Sequence, residues 1–169
     1  MKESEYRFSF RGYPEYQEYL PKIEKIIQSR TDQPFPLVLA LNEAVCNAAK
    51  YSVAGPLNAE ITVSMRIICS SIIIAVSART IKFNALAYKK KLEKIAQDNG
   101  NKVWTDYVGI DPVSRGFWIM LSAVDYLAIK DNGNVVKLFF NIDRLYDESS
   151  KKIAVLVRKF MVEQDGVYL

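Results

Sequence analysis

The stretch LNEAVCNAAKYS, residues 41–52, decides the reading of this chain, because it places Glu43, Asn47 and Lys50 on one stripe of a helix. Residues at i, i+4 and i+7 share a helical face. A carboxylate, a carboxamide and an ammonium converging there have the chemistry to orient a hydroxyl, to ligate Mg²⁺ through oxygen and to hold a phosphate. Leu37, Leu41, Ala44, Val45 and Ala48 form an apolar stripe on the same helix. An amphipathic helix with a solvated polar face explains that pattern too, so periodicity alone leaves both readings open.

Working outward, residues 5–10 (EYRFSF) alternate as a strand does, and Gly12 with Pro14 ends it. A helix follows, starting at Pro14 or Pro21, with Leu20, Ile23, Ile26 and Ile27 as its apolar face. Residues 31–36 (TDQPFP) form a loop, and the helix carrying the opening motif runs over about residues 35–51, ending before Gly55 and Pro56. Two strands come next: residues 59–69 (AEITVSMRIIC) alternate, residues 72–76 (IIIAV) are continuously apolar, and Ser70 with Ser71 supplies the hairpin turn.

Residues 84–100 read as a helix with Leu86, Leu92, Ile95 and Ala96 on one side, and Lys89, Lys90, Lys91 and Lys94 on a solvated face. Residues 101–113 lack a period and read as a loop or lid. A further helix spans residues 114–124, with Met120, Leu121 and Val124 suited to a core. Strands at 126–130 and 135–140 flank DNGN, a strong hairpin signal through Asn132 and Gly133. Residues 1–141 then make one domain, and residues 142–169 an extension, a terminal helix or edge strand packed on the domain or on a partner.

Composition narrows the chemistry. Half of the 169 residues are apolar and 12% are aromatic, which argues for a folded core and against disorder. The 23 basic and 19 acidic residues leave a net charge of only +4, too mild to indicate a nucleic-acid partner. No run approaches the roughly 18 apolar residues of a membrane span, and residues 1–10 carry no signal-peptide core, so a cytoplasmic location is expected. Cys46 and Cys69 match no zinc spacing and read as small core residues. The chain has no histidine, which excludes histidine-based triads, HExxH zinc sites and phosphohistidine transfer on this chain. Glu43 is then the candidate general base.

The order strand, helix, helix, hairpin, lid, helix, hairpin, with Glu43 and Asn47 four apart on the second helix, resembles the GHKL ATPase superfamily. Within it, the chain is most similar to the anti-sigma-factor serine kinases. The likeness spans residues 6–141 and rests also on RGFWIMLSAVDYLAI (115–129), like that family's glycine-rich opening of a helix and the strand after it, and on GNVVKLFF (133–140), like its closing strand. The resemblance implies a Bergerat-type ATPase fold, an α/β (α+β) two-layer sandwich with a mixed, mainly antiparallel sheet of about five strands and helices on one face. It implies ATP and Mg²⁺ as cofactors, Glu43 as base towards a serine hydroxyl, Asn47 as Mg²⁺ ligand, Lys50 at phosphate, and Ser114, Arg115, Gly116 and Phe117 around the phosphates. It implies a sigma factor or an anti-sigma antagonist as partner, and a homodimer through the first strand.

One motif departs from the family. Where its strand carries an Asp for the adenine amine and then two glycines, VSARTIKFN (76–84) has Ala78, Thr80 and Lys82, with Ser77 as the one nearby hydroxyl for a shifted register. Two alternatives follow: a degenerate member that binds protein without turning over ATP, and a detached sensor-kinase ATPase domain acting in trans, suggested by Lys50 and Tyr51.

Overall fold

The computed structural model describes residues 3–107, 109, 114–130, 132–143 and 148–169. Among them the chain forms β1 (Ser4–Arg11), α1 (Gly12–Gln28), α2 (Pro34–Lys50), β2 (Glu60–Ile68), β3 (Ser71–Ala78), α3 (Ala85–Asn99) and α4 (Arg115–Ala123). Then come β4 (Tyr126–Lys130), β5 (Val135–Asn141), α5 (Ile153–Arg158), β6 (Phe160–Gln164) and β7 (Val167–Tyr168). The sheet order is β1-β2-β3-β5-β4-β6-β7, antiparallel throughout except for the parallel β4–β6 pair. This is an α+β fold of two layers.

Strand alternation builds the core. Phe8 pairs with Val63, Val63 with Val76 and Val76 with Val136, while Leu138 pairs with both Ile74 and Leu127, so one face of the sheet is a continuous apolar surface. The helices cover that face. The predicted stripe of α2, Leu37, Leu41, Ala44, Val45 and Ala48, is buried there, as are Met120, Leu121 and Val124. Lys90, Lys91 and Lys94 of α3 are exposed, as the solvated-face reading expects.

Four expectations need correction. The sheet has seven strands instead of about five, because the residues beyond Ile142 add β6 beside β4 and then β7. Of the two placements expected for the tail, the one on the domain is observed, since Ile153, Leu156, Phe160 and Val162 join the common core. Helix α1 begins at neither proline. The chain turns directly from β1 at Gly12, whose φ of +64° and whose closeness to the carbonyls of Pro56 and Leu57 suit glycine alone, and Pro21 falls inside the helix. The β2–β3 turn sits at residues 69–70, one position earlier than expected, with Cys69 at φ +51°. Finally, Cys46 and Cys69 are both exposed, so neither is a core residue. Of the expected lid, residues 108 and 110–113 lie outside the described residues, as does Asp131 of the DNGN turn.

Candidate functional site

A cavity of about 340 Å³ opens between α2, α4 and the β3–β5–β4 face of the sheet. Its volume is at the lower end of the range for small-molecule sites, about 300–1,000 Å³. The walls are largely apolar: Ala44 and Ala48 from α2, Val76 and Val136 from the sheet, and Phe117 and Met120 from α4. Asn47, Thr80, Asn134 and Ser114 supply neutral polar groups, and Lys82 stands with them.

Helix packing fixes one end. Asn47 lines the cavity, and Glu43, one turn earlier on α2, puts its carboxylate against Gly116 in the first turn of α4. A Cβ built on Gly116 would overlap Glu43 Oε2 and come within 3.9 Å of Asn47 Nδ2. Glycine here therefore lets α4 approach α2 with the Glu43 carboxylate between them. Ser114 makes no capping bond to the start of α4, so its side chain leaves the first-turn N–H groups unclaimed.

The remaining predicted residues divide. Ser114 and Phe117 line the cavity, whereas Arg115 is exposed and lies outside the lining. Lys50 is also exposed and outside the lining, with its ammonium 5.1 Å from the ring centre of Tyr51, which does line it. Ala78 is in the wall, but Ser77 is not. The period of two turns Ser77 to the opposite face, where its hydroxyl donates to the Thr62 carbonyl at 3.4 Å, so no shift of register brings it to the cavity.

The segment after β3 closes the other end. Val53 N–H donates to the Arg79 carbonyl and Ile81 N–H to the Tyr51 carbonyl, tying the segment to the end of α2. Phe83 N–H donates to the Asn132 carbonyl, and a Cβ on Gly133 would lie 2.7 Å from Phe83 Cβ, so the turn needs glycine both for its φ of +82° and for this contact. Thr80 gives its N–H and its hydroxyl to Asn134 Oδ1, each at 3.1 Å. Tyr88 of α3 completes this end, meeting Phe83 at 5.5 Å and Phe117 at 5.1 Å between ring centres.

Asn134 and Tyr88 are the residues that sequence reasoning missed. Asn134 reads locally as a hairpin residue, and only the non-sequential pairing of β3 with β5 sets it opposite Ala78. Tyr88 has no local signal beyond its place on an amphipathic helix.

Charge on the α1 side of Glu43 is also organised. Burial raises the Tyr13 hydroxyl's pKa, and Cys46 and Glu43 add to it. The Cys46 thiol reaches solvent on one side, yet burial on the other raises its pKa; Glu43 adds to the rise, and a hydrogen bond from Tyr13 opposes it. Tyr16 is fully buried and donates to Asn42 Oδ1 at 2.6 Å. Among the described residues no group of three or more acidic, histidine or cysteine side chains could hold a metal by itself. Mg²⁺ does not require one, since it commonly takes one or two protein oxygens with phosphate and water as its other ligands. Comparison with protein-family models and with curated proteins finds no match for this chain.

Proposed function

We propose that the chain is a GHKL-type regulator of the anti-sigma serine kinase kind, which binds a nucleotide in the α2–α4 cavity and transfers phosphate to a serine of a partner antagonist protein. The observation that carries the reading is the meeting of Glu43, Asn47 and the side-chain-free Gly116 beside an apolar cavity of about 340 Å³. The phosphate end fits the group: Asn47 offers an amide oxygen to Mg²⁺, and the first turn of α4 offers N–H groups to phosphate oxygens. Bound ATP with Mg²⁺ would supply the transferable phosphoryl group. Glu43 would accept a hydrogen bond from the incoming serine hydroxyl and take its proton. A sigma factor is the other proposed partner. β1 is an edge strand, which favours a homodimer by strand pairing.

Calorimetric titration with ATP and with ADP, each with Mg²⁺, tests the binding step, with saturable heat expected. Glu43→Ala should then abolish phosphoryl transfer while the melting transition is kept. Full transfer by that variant would remove Glu43 as the base.

A second reading, a protein-binding domain without ATP turnover, is favoured by the base end. There Ala78 offers no acceptor, and the segment after it is pinned to Tyr51, Asn132 and Asn134. It predicts no thermal shift at millimolar ATP and Mg²⁺, since a ligand with no affinity for the native state cannot stabilise it. A saturable shift would eliminate it.

A further inference from the structure

We propose that the turn after α2, residues 52–58, together with Ile81, is a contact site for an anionic lipid surface. The inference stands apart from the nucleotide reading and adds a reversible attachment to membrane.

Residues 51–59 (YSVAGPLNA) carry no charge. The fold brings them beside the segment that follows β3: Ser52 pairs with Thr80 in an isolated antiparallel bridge, Val53 N–H donates to the Arg79 carbonyl and Ile81 N–H to the Tyr51 carbonyl. Three aliphatic side chains are left in water there, Val53 at 52% exposure, Leu57 at 71% and Ile81 at 55%. A Cβ on Gly55, between Val53 and Leu57 in the turn, would meet nothing within 4 Å, so the turn projects from the surface.

A cluster of exposed apolar groups marks contact with protein or with lipid, and here the backbone favours lipid. Besides the bond from Val53, Ala54 N–H donates to Ser52 Oγ at 3.2 Å, Gly55 N–H to the Ser52 carbonyl and Asn58 N–H to the Gly55 carbonyl. Pro56 has no N–H. The turn can leave water with few orphan donors, which is the main cost of placing irregular backbone at the edge of lipid. The same bonds leave few donors for a protein partner's main chain, whereas aliphatic ends enter the boundary between headgroups and acyl chains without a matching pocket.

Charge specifies the lipid. Lys50 precedes the turn, Arg79 lies beside Val53 and Lys82 follows Ile81; all three are exposed, and among the described residues none is in an ion pair. The carboxylates flanking the turn are both associated with Arg11: Glu60 lies opposite it in the β1–β2 register, and Glu15 accepts its backbone N–H at 2.6 Å. Aliphatic ends that insert and cations that meet phosphate headgroups are the two signals that together hold a protein on an anionic leaflet.

Sedimentation of the full chain without nucleotide tests the assignment, using vesicles of phosphatidylglycerol and phosphatidylcholine in equal parts against phosphatidylcholine alone. The chain is expected to pellet with the mixed vesicles only, and less as salt is raised. Arg79→Ala should weaken binding about fivefold, the worth of one basic residue near such a surface. Leu57→Ser should weaken it by about fivefold or more. Both side chains are exposed, so both variants should keep the wild-type melting temperature. No pelleting with the mixed vesicles overturns the proposal and leaves the turn to a protein partner. Equal pelleting with phosphatidylcholine alone, or binding unchanged in Leu57→Ser, overturns it as well. Release by millimolar glycerol phosphate would identify a soluble phosphate ligand instead of a lipid surface. If either variant fails to fold, the salt and lipid dependence of the wild type decide. Titration with ATP is a separate measurement, so failure here leaves the nucleotide reading standing.

Discussion

Gly116 holds the first turn of α4 against the carboxylate of Glu43, so closely that a methyl group on Gly116 would overlap Glu43 Oε2. The obstructed atom is the end of a flexible side chain, not backbone, so the structure can accommodate Gly116→Ala by turning Glu43 aside. Alanine is also the better helix former, by about 1 kcal/mol. The expected result is a melting temperature close to wild type together with nucleotide binding or transfer reduced by about tenfold or more, since Glu43 and Asn47 would no longer be held as they are. Differential scanning calorimetry and titration on the same sample check both halves. Unchanged binding would show that the Glu43–Gly116 contact has no part in the site.

The tail is held by an aromatic contact, with Phe160 of β6 edge-on to Phe117 of α4 at 5.0 Å and Tyr88 of α3 6.3 Å away. Phe160 is 1% exposed. Phe160→Ala is expected to cost about 3–5 kcal/mol, the range for a fully buried Phe, read as a lower midpoint in denaturant unfolding. Phe117 and Tyr88 line the cavity, so the same variant should weaken ligand binding even where the protein remains folded. Ending the chain after Asn141 would uncover the edge of β4 that pairs with β6 and the core surface under Ile153, Leu156 and Phe160, and should leave the protein unfolded or aggregated.

Local signals carried much of this architecture. The β2–β3 and β4–β5 hairpins and the buried stripe of α2 follow from alternation, from the turn at Gly133 and from helical spacing, all of which act within a few residues. The parallel β4–β6 pair depends on contacts between distant segments, and a short strand such as FMVEQ has no local feature that distinguishes joining the sheet from packing on a partner. The candidate site divides in the same way. Glu43 and Asn47 are legible because one helix carries both. Asn134 is not, since its partner Thr80 is 54 residues away and across a non-sequential strand pair.

Alkaline pH tests the buried interface of α1 with α2. Burial raises the pKa of Tyr16 well above that of a free phenol, with Tyr13 the next largest contributor. Between the ordinary value near 10 and its raised native value, the unfolded chain loses this proton and the native chain keeps it. The native state then binds more protons, so stability falls as pH rises past about 10, with a limiting slope of about 1.4 kcal/mol per pH unit for this one group. Tyr16→Phe should remove that part of the slope. It should also lower stability at neutral pH by about 1–3 kcal/mol, because Asn42 Oδ1 loses the hydroxyl that donates to it. Urea unfolding at a series of pH values from 8 upward, for both proteins, checks the sign.

Cys46 gives a chemical probe of Glu43. The thiol is exposed, yet burial first and the Glu43 carboxylate second raise its pKa, so little thiolate is present at pH 8. Alkylation of Cys46 by iodoacetamide, followed by peptide mass spectrometry, is expected to be slower than that of glutathione under the same conditions. Glu43→Gln removes the negative charge and keeps the shape, so the thiol's pKa should fall and the rate rise, by about twofold or more at low salt. High salt should narrow the difference, because the carboxylate acts through a partly solvated gap. A rate unaffected by Glu43→Gln would mean that burial alone sets the thiol, and that the Glu43 carboxylate directs its charge away from α1.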